Sequence, residues 1–207
     1  METWKTYLGV LAVLLQGPAE GVQRTQVSIY YSTLCTDSIT FFSKQLWPTY
    51  TKIGSIMDVE LVPFGKTKQK LPFDGTNSFE CQFGPADCYG NIVQSCAVSL
   101  LNNSDLSVKF VACYFNDPYS PNRVLQCSQR FGINYNSIHQ CATSKTGFQY
   151  FHQMGEKTRR LSPSLYFIPW VVINGEFSSE NESQAQKNLL CLICDNYKGQ
   201  MPAGCQT

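Results

Sequence analysis

Ten cysteines, at 35, 81, 88, 96, 113, 127, 141, 191, 194 and 205, constrain this chain more than any other feature. Six of them fall between residues 81 and 160. Cysteines of an exported chain are mostly bridged, so the middle of the chain is expected to be tied down by disulfides. The beginning of the chain agrees with export. Lys5 supplies a positive charge, Tyr7 to Leu15 a short apolar run, and Gly17-Pro18-Ala19 small residues for cleavage, so residues 1 to 19 read as a signal peptide. That run is too short to span a bilayer. No later stretch is apolar enough to cross one, so the mature chain, 20–207, is expected to be soluble. Asn102-Asn103-Ser104 and Asn181-Glu182-Ser183 could carry glycans at Asn102 and Asn181. A secretory route follows, with lysosomal and extracellular destinations both open.

Charge narrows the partners. The formal net charge is +1 and no cluster of Lys and Arg stands out, which argues against nucleic acid. A hydrophobic content of 43% is ample for one core.

The pattern along the chain is α/β. Gln26 to Tyr31 reads as a first strand and Asp37 to about Ile53 as a helix, which Pro48 should bend or shorten. Asp58 to Pro63 alternates polar and apolar, as a half-buried strand does. Strand, helix, strand suggests a βαβ unit. Gly65 to Gly75 is basic and turn-rich. A helical, disulfide-rich insertion is then expected at about 75–160, with helices at Tyr89 to Leu101, Leu106 to Asn116, Arg123 to Phe131 and Thr146 to Arg159. Sheet character returns at Tyr166 to Ile173. An Asn174-Gly175 turn ends that strand, with Phe177 beginning a short return strand. A last amphipathic helix, Asn181 to Tyr197, should stop at Gly199.

Cys35 sits where the first strand gives way to the first helix. Free N–H groups and the positive end of the helix dipole favour a thiolate there, and the thiolate is the nucleophile of disulfide exchange. Dithiol enzymes carry a second cysteine three residues on to resolve the mixed disulfide. Here that position is Ser38. A serine cannot form a disulfide, although its hydroxyl could hydrogen-bond to the thiolate. Asp37 is a helix-start residue, and neither His139 nor His152 lies near Cys35 in sequence. With Cys35 set aside, nine cysteines remain, so at least one is free or intermolecular. Cys191 is that candidate, as a buried helical thiol, a distant resolver or a dimer link. Zinc bound by Cys81, Cys88 and Cys96 is disfavoured by spacing and by export.

A longer motif is more specific. Cys81-Gln82-Phe83-Gly84-Pro85-Ala86-Asp87-Cys88-Tyr89-Gly90-Asn91-Ile92-Val93-Gln94-Ser95-Cys96 resembles the signature of the gamma-interferon-inducible lysosomal thiol reductase (GILT) family. Phe83 replaces a histidine of that signature and Asp87 a glutamate. Ile168-Pro169-Trp170-Val171 through Asn174-Gly175 resembles the family's Pro-Trp-Val stretch. The resemblance implies a thioredoxin-like fold that reduces protein disulfides in acidic endosomes and lysosomes. It also implies that Cys81, Cys88, Cys96, Cys113, Cys127, Cys141, Cys194 and Cys205 form four bridges. Pro169, in cis, would face Cys35, and Ile168 would offer its backbone to an extended substrate. Cys35 matches the first cysteine of the family's Cys-x-x-Cys, with Ser38 at the second. The expected activity is therefore monothiol exchange on disulfide-containing proteins, with no bound cofactor and an external thiol such as cysteine or glutathione as reductant. A GILT-like protein that binds or covalently traps cysteine-containing peptides is the alternative. The chain is expected to be a monomer, or a dimer linked through Cys191.

Overall fold

The computed structural model describes residues 23–76 and 78–206. The signal peptide read at 1–19 lies outside the described residues. Strand β1 (Thr25–Tyr31) is central in a three-stranded sheet of order β2-β1-β5. β2 (Met57–Pro63) runs parallel to it, with Thr25 opposite Met57 and Tyr31 opposite Pro63. β5 (Trp170–Ile173) runs antiparallel, Val27 pairing with Ile173 and Tyr30 with Trp170. Asp58 faces solvent while Met57, Val59 and Leu61 are buried, which is the alternation that marked β2 in the sequence.

The β1–β2 crossover is helical throughout, and Pro48 does not shorten it. α1 (Thr36–Phe41) leads into a π-helical turn (Phe42–Leu46) and then α2 (Trp47–Ile53). Trp47 N–H donates to the Phe42 carbonyl, five residues back. Widening the turn just before Pro48 leaves room for a ring that would otherwise clash with a carbonyl of the preceding turn.

After β2 a small hairpin, β3 (Lys68–Gln69) with β4 (Phe79–Glu80), precedes five helices. These are α3 (Pro85–Leu101), α4 (Ser104–Asn116), α5 (Arg123–Arg130), α6 (Tyr135–Ala142) and α7 (Lys145–Arg159). α6 was not legible in the sequence. Its start is capped by the Asn134 side chain, which accepts from Ser137 N–H at 3.1 Å. Three disulfides tie this region: Cys81–Cys88, Cys96–Cys141 and Cys113–Cys127. A fourth, Cys194–Cys205, fastens the last helix to the segment beyond it. Bridging removes these sulfurs as ligands, so the zinc alternative does not stand.

One expectation fails beside β5. No return strand forms at Phe177. Asn174 and Gly175, both at positive φ, make the turn, and Ile173 and Glu176 exchange two backbone hydrogen bonds before the pairing ends. Phe177 instead stacks on the buried Trp170, ring centroids 3.7 Å apart. The outward N–H of Val171, which a longer return strand would have bonded, donates to the Glu182 carboxylate at 2.7 Å. The last helix, α8 (Ser179–Asn196), covers the expected span, closing at an extended Tyr197 two residues before Gly199. It breaks at Asn188, whose φ and ψ are −155° and 75°. Gln45, from the π turn, bridges the break: Nε2 donates to the Lys187 carbonyl at 3.2 Å and Oε1 accepts from Leu189 N–H at 3.1 Å.

Candidate active site

The nucleophile candidate stands at the N-cap of α1. Cys35 has φ −73° and ψ 119°, and its carbonyl accepts the first intrahelical bond from Ile39 N–H at 2.9 Å. Its side chain is 5% exposed, and Sγ donates toward the Ile168 carbonyl at 3.7 Å. The Ile168–Pro169 peptide bond is cis. Cys35 and the Ile168-Pro169 segment, 133 residues apart in sequence, therefore meet.

Ser38, one turn into α1, is fully buried. Its Oγ has no hydrogen-bond partner, so the bond to Cys35 considered from the sequence is not made. The second free cysteine, Cys191, is exposed on α8, which corrects the expectation of a buried thiol. Its Sγ donates to Asp195 at 3.4 Å, and that carboxylate raises its pKa. His152 bonds Gln69 and stacks on Phe73, and His139 lies beside Tyr135. Asp37 is exposed in the first turn of α1. Of the two sequon asparagines, Asn102 is exposed in a left-handed conformation at the end of α3, and Asn181 is half-buried in the first turn of α8.

The loop before Cys35 is held from α3. Asp87, with no exposed surface, accepts from Ser32 Oγ at 2.8 and 2.7 Å, from Thr33 Oγ1 at 3.1 Å and from Leu34 N–H at 3.0 Å. Asn91 accepts from Thr33 N–H at 2.9 Å and donates to Ser32 Oγ at 3.0 Å. One turn further, Gln94 Oε1 accepts from the Tyr31 hydroxyl at 2.5 Å. Hydrogen bonds from three consecutive residues, Ser32, Thr33 and Leu34, converge on Asp87, so this one side chain fixes the loop. Gly90, between these residues, lets the helix come close. A Cβ there would lie 2.4 Å from Thr33 Oγ1 and 2.8 Å from the Tyr114 hydroxyl. In the sequence these anchors stand out only as parts of a motif. Their spacing at 87, 91 and 94 is one polar stripe on an otherwise apolar buried helix, and that was the available signal. Phe83, at the position of the family histidine, is 39% exposed.

A buried carboxylate backs the other side. Glu182 is 4% exposed. Its two oxygens accept from Val171 N–H and Gln186 Nε2, each at 2.7 Å, and Gln186 Nε2 reaches the Pro169 carbonyl at 3.5 Å. Burial raises its pKa against the pull of those two bonds. Sequence reading missed it because Glu182 appeared only inside a sequon.

Comparison with known proteins identifies the family. The model of the family described as gamma interferon inducible lysosomal thiol reductase (GILT) matches residues 26–131, which run from β1 through Cys35 and the whole α3 signature. The chain belongs to the GILT family. The gamma-interferon-inducible lysosomal thiol reductase of Carassius auratus is 34% identical to it over 185 residues, covering 86% of this chain and 71% of that one. The Mus musculus protein of the same name is 30% identical over 176 residues, covering 84% and 68%. GILT-like protein 1 of Drosophila melanogaster is 29% identical over 213 residues, covering 95% and 84%. The crystal structure of the oxidoreductase DsbA from Xylella fastidiosa superposes with a TM-score of 0.50 at 12% identity, over 82% of this chain and 84% of that one. The fold of this GILT protein is thioredoxin-like, with a disulfide-rich helical region. Membership places it among thiol–disulfide oxidoreductases. Ser38 stands three residues after the candidate nucleophile.

Proposed function

We propose that this chain exchanges protein disulfides through Cys35 alone, with a small external thiol as reductant. The observation that carries the reading is the meeting of a free Cys35 with the Ile168 carbonyl, beside a Ser38 that cannot resolve. The Cys35 thiolate attacks one sulfur of a substrate disulfide. A Cys35–substrate disulfide forms and the other substrate sulfur leaves as a thiolate. A small thiolate then attacks the Cys35 sulfur, forming a Cys35–small-thiol disulfide and releasing the second substrate thiolate. Another small thiolate attacks the small-thiol sulfur of that bond, freeing Cys35 and leaving an oxidised small-thiol dimer. Two electrons pass from two small thiols to one substrate disulfide, and protons from the reductant thiols balance the released thiolates. The Ile168 backbone, at the mouth of this site, is the candidate partner for an extended substrate strand.

A second reading has one observation behind it. Without a resolving thiol the mixed disulfide is long-lived where reductant is scarce, so the protein would trap cysteine-containing peptides covalently. We place the chain in the secretory pathway, lysosomal or secreted, after loss of residues 1–19 and with glycans on Asn102 and Asn181. We take it to act as a monomer, with an exposed Cys191 able to link two copies.

Reduction of a disulfide-bonded protein, followed at pH about 5 and about 7 with and without glutathione or cysteine, tests the reading. Wild type should turn over only with added thiol, and Cys35→Ser should not turn over at all. Ser38→Cys should complete a single turnover without added thiol, since an intramolecular resolving thiol acts at a very high effective concentration. Wild type that accumulates covalent adducts and never turns over would leave the trapping function in place.

A further inference from the structure

β2 ends in a turn at Gly65, whose φ is +58°. A Cβ on Gly65 would lie 2.9 Å from Ser32 Cβ and 3.2 Å from Ile168 Cδ1. Gly65 therefore packs between the loop that carries Cys35 and the residue whose carbonyl faces the Cys35 sulfur. From this point a cleft of about 510 Å³ opens between the β2–β3 turn and the end of α7. It is lined by Lys66, Lys68 and Arg159, with Gln69, Thr158 and Ser164 among its polar neighbours and no carboxylate in its wall. Lys66 is exposed and makes no ion pair among the described residues. Lys68 lies 3.9 Å from Glu80, but both side chains are nearly four-fifths exposed, so the pair neutralises little. Arg159 is fixed rather than free. It bonds Glu156 and Gln69 and lies 5.8 Å from the Phe64 ring centroid. The cleft of about 460 Å³ along the other part of β2 has the opposite character, with Asp58 and Glu60 in its wall and no cation.

We propose that the cationic cleft holds the carboxylate end of the small thiol that acts at Cys35, so that the reductant is an acidic peptide thiol of the glutathione class. The proposal rests on the one-cysteine reading above. A chain that cannot resolve its own mixed disulfide depends on how often an outside thiolate reaches the Cys35 sulfur. Cations in a cleft raise the local concentration of an anionic ligand and lengthen its stay. Gly65, in the wall of the cleft, packs against Ile168, so the course of a peptide thiol anchored at Lys66 and Lys68 by its carboxylates runs past Gly65 toward Ile168 and Cys35. Anchored this way, the thiolate attacks the Cys35 sulfur, the bond to substrate breaks, and the substrate sulfur leaves as a thiolate. The resulting Cys35–glutathione disulfide is opened by a second thiol. A cleft of this size falls within the range for small-molecule sites.

The test uses a ligand that cannot react. S-methylglutathione carries both carboxylates and no thiol, and its diethyl ester lacks the carboxylate charges. Binding of each to the intact protein is followed by NMR or calorimetry in low salt. The free acid should bind wild type at least about fivefold more tightly than the ester, and added salt should weaken it. Lys66→Gln/Lys68→Gln, two exposed substitutions, should abolish that preference. Lack of saturable binding of the acid, equal binding of acid and ester to wild type, or a preference kept by the double variant would each overturn the proposal. Binding does not depend on turnover. A protein that binds the acid selectively but needs no thiol in the reductase assay would retain the cleft and lose the one-cysteine reading, and the reverse outcome would do the opposite.

Discussion

At the scale of single residues, Ser38 holds one of several buried polar atoms without a partner, and it is the one beside the candidate nucleophile. A serine hydroxyl that is buried without a partner loses its bonds to water and gains nothing, at a cost of roughly 1–3 kcal/mol. A thiol in the same place bonds weakly anyway and loses less. The position therefore suits a thiol or a methyl group better than a hydroxyl. Ser38→Ala and Ser38→Cys are both expected to unfold at a denaturant midpoint equal to or above that of wild type. A fall of more than about 1 kcal/mol in either would mean that the hydroxyl is bonded in solution. Cys35 and Ser38 stand out in the sequence by a strand end and a three-residue spacing, whereas the place of Pro169 opposite Cys35 followed only from the family resemblance. Asp87 and Glu182 were not legible. Asp87 acts on residues 53 to 55 positions away, and nothing local separates such a carboxylate from one that begins a helix.

At the scale of elements, the contact between α3 and the Cys35 loop carries the geometry of the site. Gly90→Ala would push a methyl group into Thr33 Oγ1 and the Tyr114 hydroxyl. Overpacking of this kind costs typically about 1–3 kcal/mol. Adding Thr33→Ala removes the nearer obstacle, so a double-mutant cycle by denaturant unfolding should show the pair to be less harmful than the sum of its members. Strict additivity would argue that α3 and the loop do not touch. β5 offers a pH test. In the window between the ordinary carboxyl pKa and the raised pKa of Glu182, the folded chain holds a proton that the unfolded chain has released. Stability from this group is thus full below the unfolded pKa and is lost as pH rises through the folded one. Glu182→Gln does not titrate, so its melting temperature relative to wild type should climb as pH is raised from about 4 to about 7. A difference constant across that range would refute the assignment. The missed helix α6 and the absent return strand have related causes. Tyr135-Asn136-Ser137-Ile138-His139-Gln140 has few strong helix formers and is secured by its cap and by the Cys96–Cys141 bridge. Phe177 has strand propensity but finds its partner in the Trp170 ring.

At the scale of the molecule, the sheet is small and the disulfides distribute the load. Cys96–Cys141 closes a separation of 45 residues and joins α3 to α6, whereas Cys81–Cys88 closes only 7. By loop-closure entropy the first stabilises by about 4 kcal/mol and the second by about 2. Replacing each pair with alanines should reproduce that order in chemical unfolding, and equal losses would show that the long loop is already restricted in the unfolded chain. The α/β plan and the bridged middle were legible because periodicity and cysteine density are local signals. Which cysteines pair depends on the packing of α3 against α6, which spacing alone does not reveal. The same small sheet leaves two open flanks. On the β2 flank, the Ser104 hydroxyl donates to the Val59 carbonyl and accepts from its N–H. On the β5 flank, the outward N–H groups of Val171 and Ile173 are taken by Glu182 and by the Glu176 carbonyl. Trp170-Val171-Val172-Ile173 is uncharged and β-prone, and its outer edge carries the donors that a further strand would use. A carboxylate seated on its edge occupies the donor that an incoming strand would use. Glu182 therefore caps the edge at which another strand could otherwise extend this sheet.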